Sequence, residues 1–135
     1  MADKGVLEPL AAMPAEINGL LDSARRHLQD AKLEGISPES RIVHSYQVIL
    51  ACETAALRSN DFRAKNVEGK HVHSLESMKF TLGVGAKKIE YFHSLRRQRH
   101  EDFYAGTFHS SAWEADIALN EAEKLLARAE VKLRG

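Results

Sequence analysis

Apolar residues recur at helical spacing along most of the chain. From Pro14, the residues Ile17, Leu20, Leu21, Ala24, Leu28 and Ala31 form one stripe, while Asp22, Arg25, Arg26, Gln29 and Asp30 fill the opposite side. This is the pattern of an amphipathic helix. Pro14 suits its first turn and Gly35 its stop. "SPES" at 37–40 opens a second helix, with Ser37 as N-cap and Pro38 at the first helical position. It runs to about Arg58. Between Tyr46 and Leu57 it is apolar on nearly every side, which predicts a central helix with neighbours all round.

"SNDFRAKNVEGK" reads as a loop. A short third helix begins near His73 or Ser74 and ends near "GVG" at 83–85. A fourth spans about Ala86 to Tyr104, with Ile89, Phe92, Leu95, Arg99 and Phe103 along one line. Ser111 and Glu114 form a capping box ahead of a fifth helix. Its stripe is Ala115, Ala118, Leu119, Ala122, Leu125, Leu126, Ala129 and Leu133. No segment alternates with period two for long, so no strand is expected. The pattern predicts an all-α protein, an up-and-down bundle of four to five helices. Residues 1–13 would be a flexible lead-in to a single domain over 14–135.

Composition narrows the function classes. The chain has 135 residues, 44% hydrophobic and 28% charged, a globular profile. Its 19 basic and 19 acidic residues cancel, so any nucleic-acid role needs a local patch. No apolar run approaches the roughly 18 residues of a membrane span, and no apolar signal core is present. Cys52 is the single cysteine. It sits in "YQVILACETAAL" and reads as a small buried hydrophobe rather than a nucleophile. These features point to a cytoplasmic protein without membrane contact, and no cofactor is called for.

The stretch "SLRRQRHEDFYAG", Ser94 to Gly106, breaks the pattern: three arginines and a histidine occupy five positions on a helix that should be partly buried. Arg96 and His100 are four apart, Arg96 and Arg99 three apart, so they share a side. Arginine is rarely buried unpaired. Either Arg99 caps carbonyls or pairs with a carboxylate such as Glu53, with Arg97 in solvent, or the cluster is a phosphate site. A guanidinium offers a planar fork of donors for phosphate, and a neighbouring histidine serves as acid or base near neutral pH.

Two other stretches carry less. His71 and His73 in "GKHVHSLES" would bind a metal only if the fold brought in His44, His93 or His100. A histidine satisfied at the helix start is the simpler account, and no metal site is expected. "GVGAKK" lacks the spacing of a phosphate-binding loop and reads as a turn between helices. Trp113 is expected in the core or at an interface.

Taken with "LLDSARRHLQDAKLEGISPESRIVHSYQVILACETAAL" and the long helix after "SSAWEAD", the stretches "GKHVHSLESM" and "LRRQRHEDFY" resemble the HEPN (higher eukaryotes and prokaryotes nucleotide-binding) domain. The resemblance is to its small stand-alone bacterial members and covers about residues 15–133. It implies a helical bundle, often a homodimer, and a link to toxin–antitoxin and other defence systems. Partners would include RNA or nucleotide, a cognate antitoxin or a nucleotidyltransferase. Catalytic members are metal-independent ribonucleases whose arginine and histidine are separated by four to six residues. Here Arg96 and His100 have three between them, and only a lysine, Lys88, precedes His93 at the family spacing. The resemblance therefore implies a non-catalytic or degenerate RNA- or nucleotide-associated dimer. Arg96, Arg99, Tyr104 and His73 would line its phosphate site, with His100 assisting. The alternatives are a ribonuclease toxin with Arg96 and His100 as the catalytic pair, and a structural adaptor with no ligand.

Overall fold

Five helices and a short two-stranded ribbon make up the computed structural model, which describes residues 7–65, 70–105 and 110–134, with side chains undescribed at 64, 70, 71 and 102–105. The elements are β1 (Leu7–Pro9), α1 (Pro14–Ala31), α2 (Pro38–Ser59), β2 (Phe62–Ala64), α3 (Lys70–Thr81), α4 (Ala86–Ala105) and α5 (Ala112–Leu133). The protein is an all-α bundle with this ribbon attached. No helix among the described residues is long and apolar enough to cross a membrane.

The start signals act as the sequence predicts. The Ser37 side chain accepts from the Ser40 N–H at the head of α2, with Pro38 in the first turn. At the head of α5 the Glu114 N–H donates to Ser111 Oγ while the Ser111 N–H donates to Glu114, a complete capping box. The α3 helix begins at Lys70, one turn before the expected His73. It ends where Gly83, at φ +65°, reverses the chain and the Val84 N–H reaches the Met78 carbonyl.

Helix α2 is the hub, packed between α1 and α5 and touched by α3. Along α1, Ile17, Leu21, Ala24, Leu28 and Ala31 are buried, and along α5, Ala115, Ala118, Ala122, Leu125, Leu126 and Ala129. Fully covered alanines on all three helices, Ala24, Ala55, Ala118 and Ala122 among them, let the backbones approach closely. Polar contacts set the directions. Arg41 near the start of α2 donates to the carbonyls of Ala31 and Leu33 at the end of α1, at 2.8 and 3.1 Å. Arg58, near the end of α2, meets Glu16 near the start of α1, so these helices run antiparallel. Glu39 of α2 accepts from the Ser110 N–H beside the start of α5 at 2.8 Å, so α2 and α5 run the same way.

The ribbon departs from the expectation of no strand. The segment β1 pairs antiparallel with β2, Leu7 opposite Ala64, and Leu7 is buried. Three-residue strands are too short to show an alternating pattern, and their backbone pairing is decided by what anchors them. That anchor is Arg58, 6% exposed. It donates to both carboxylate oxygens of Glu16 at 2.6 and 3.2 Å and to the carbonyls of Leu10, Ala11 and Phe62 at 2.6, 2.9 and 3.1 Å. Asp61, at φ +61°, accepts from the Ala12 N–H through its side chain at 3.0 Å. The stretch 7–13, expected to be loose, is therefore tied to the end of α2.

Truncating Arg58 removes the donor shared by the Leu10, Ala11 and Phe62 carbonyls and leaves Glu16 without its partner. Arg58→Ala is expected to destabilise the protein by roughly 3 kcal/mol, read from urea denaturation. Hydrogen exchange at the Leu10 amide should rise together with it. Slow Leu10 exchange in the variant would show that the segment is held without Arg58.

Candidate functional site

The aberrant stretch on α4 meets α2 at a polar cluster inside the bundle. Tyr46 and Glu53 are seven residues apart on α2 and so share a face. Arg96 and Arg99, one turn apart on α4, supply the opposing charges. Glu53 is 3% exposed, and its Oε2 has no hydrogen-bond partner among the described residues. Arg96 and Arg99 are half-buried, and the Arg96 Nε likewise lacks a partner there.

Burial dominates the electrostatics. It pushes the Glu53 carboxyl up to about 8, against the opposing pull of Arg96. At neutral pH Glu53 is thus largely uncharged. The Tyr46 hydroxyl is pushed up to about 12, by burial first and then by Glu53, while Arg96 and Arg99 act the other way. Cys52, one residue before Glu53, is fully covered, and burial raises its thiol to about 12. It is an inert core residue, in keeping with its apolar surroundings.

His100 is exposed, one turn beyond Arg96. His73 is half-buried in the first turn of α3, and nothing among the described residues joins it to Arg96 or Arg99. The side chains of Tyr104, Phe103 and His71 lie outside the described residues. Arg97 is exposed and donates to Ser94 at 3.3 Å. His93 sits 3.0 Å from Glu76 Oε1, linking α4 to α3. Lys79 first, and then His93, hold the Glu76 carboxyl below its usual range. The "GVG" turn is a turn between helices, its Leu82 and Gly83 carbonyls accepting from Arg128 at 3.3 and 2.7 Å. Trp113 is 72% exposed and not in the core. It borders an apolar groove of about 310 Å³ with Ile42, Tyr91, Leu95 and Ile117.

Sequence reasoning named Glu53 as one partner for Arg99. The charge that acts on Glu53 is that of Arg96. Tyr46 was missed, although its seven-residue spacing from Glu53 was a usable signal.

The raised carboxyl links stability to pH. Folded Glu53 holds its proton up to about 8, whereas the unfolded group releases it near 4.5. Folding is therefore favoured most below the unfolded value, weakens as pH rises through the window, and levels off above the folded value. Glu53→Gln removes this loss. Its melting temperature relative to wild type should rise steadily between about pH 5 and about pH 8.5. Parallel curves for the two proteins would mean that Glu53 titrates normally.

Compared with protein-family models, curated proteins and solved structures, the chain matches none, so its function is read from residues and geometry.

Proposed function

We propose that this chain is a HEPN-like module that associates with RNA or nucleotide phosphate as a homodimer, without cleaving it, in the setting of a toxin–antitoxin or other defence system. The observation that carries this is the state of the α2–α4 cluster. Glu53 is covered with its Oε2 unpartnered among the described residues, and burial, which favours its neutral form, leaves the charge of half-buried Arg96 incompletely cancelled. A half-buried guanidinium beside a neutral acid attracts an anion more strongly than one in bulk water, because the local dielectric is low. Arg99 lies one turn on, and two oxygens of a phosphate match the planar donor fork of a guanidinium. The motif behind the family resemblance, "LRRQRHEDFY", contains both arginines.

Support for self-association is the apolar surface: Trp113 beside its groove, and Phe80 at 78% exposure. Support for a second reading, a metal-independent ribonuclease, is His100, exposed to solvent on the same side of α4 as Arg96.

Incubation of the purified protein with single-stranded RNA in EDTA, followed across a salt series, separates these. Binding without cleavage, falling steeply with salt, is the expected result. Arg96→Ala should weaken it about tenfold or more, with the helical circular dichroism unchanged. Cleavage lost in both Arg96→Ala and His100→Ala would instead establish the ribonuclease. Neither binding nor cleavage, with a lower melting temperature for Arg99→Ala, would leave only the structural adaptor.

A further inference from the structure

A second polar cluster lies on the α1–α2 pair, away from the arginines. His27 and Asp30 are three apart on α1 and share a face, and His44 comes from α2. His44 is two residues before Tyr46, which puts it about 200° round α2 from the buried cluster. His27 Nδ1 and His44 Nδ1 approach to 3.2 Å, with ring centroids 5.5 Å apart and planes tilted by 35°. One ligand atom from each of His27, Asp30 and His44 falls within 4.8 Å of the others. It is the one such trio among the described residues. Both histidines are half-buried and Asp30 is exposed.

We propose that His27, His44 and Asp30 form a binding site for a divalent transition-metal ion of the zinc class. The spacing of the two imidazole nitrogens is the first reason. Ligands at about 2.05 Å from a tetrahedral ion lie about 3.3 Å apart along each edge of the tetrahedron, and the two Nδ1 atoms already have that separation. The second reason is electronic. Two Nδ1 atoms facing each other hold a single proton between them at best, since two lone pairs or two protons there repel. A cation accepts both lone pairs at once. The Asp30 carboxylate is exposed, so it reorients onto the ion at little cost and supplies the negative ligand. Imidazole and carboxylate suit zinc, and three protein ligands leave the fourth position to water. Bound there, the ion cross-links α1 to α2 near the turn between them.

The test is zinc titration of the untagged, chelator-treated full chain by calorimetry, with cobalt(II) as a spectroscopic stand-in. One ion per chain, a higher melting temperature with zinc, and the visible bands of tetrahedral cobalt(II) are expected. His44→Ala and His27→Ala should each lower affinity at least a hundredfold and remove the cobalt bands. Asp30→Asn should weaken affinity about tenfold, and His73→Ala should leave binding unchanged. Absence of binding by the folded wild type, or binding lost in His73→Ala but kept in His44→Ala, would overturn the proposal. Arg96→Ala tests the phosphate site separately and should bind zinc like wild type.

Discussion

Helix α2 is enclosed by other elements along much of its length, and each polar group it buries needs a partner or has to lose its charge. Three buried polar residues show three answers. The Ser45 hydroxyl donates to the Arg41 carbonyl one turn back in the same helix, at 2.8 Å. Arg58 is surrounded by acceptors from three other segments, and by gathering them it joins the N-terminal strand to the bundle. Glu53 has the weakest answer. It is covered, its Oε2 is unpartnered among the described residues, and its charge is suppressed rather than paired. A buried polar group left this way lowers stability, a compromise that fits the site proposed here.

That compromise shapes the chemistry of α4. A fully ionised Glu53 would neutralise a neighbouring guanidinium and leave a closed ion pair. With the proton retained, Glu53 leaves the positive field of Arg96 largely uncancelled, which is the basis of the anion site proposed above. The same enclosure makes Cys52 unreactive. Burial thus raises the pKa of two neighbouring groups on α2, the Cys52 thiol and the Glu53 carboxyl.

Much of the architecture was legible in particular residues. Pro14, Ser37 with Pro38, and Ser111 with Glu114 marked three helix starts, because these signals are local: proline presets the first turn, and the two serine caps find their hydrogen-bond partners within three residues. The stripes of α1 and α5 marked their buried faces for the same local reason. The early start of α3, by contrast, carried no cap signal. The ribbon was illegible because its anchor, Arg58, works through residues more than forty positions away. The polar cluster was half legible: "RRQRH" announced arginines in a buried line, and Glu53 was a named partner, but nothing local pointed to Tyr46.

The sequence by itself determined the helices, their buried faces and the presence of an ill-fitting basic stretch, since periodicity and capping act within a few residues. Only the tertiary structure decided which charges met. The protonation of Glu53 depends on how the neighbouring elements enclose α2, and the facing of His27 and His44 depends on the register of two antiparallel helices. Both are properties of packing, because desolvation and approach across seventeen or more residues exist only once the elements have docked.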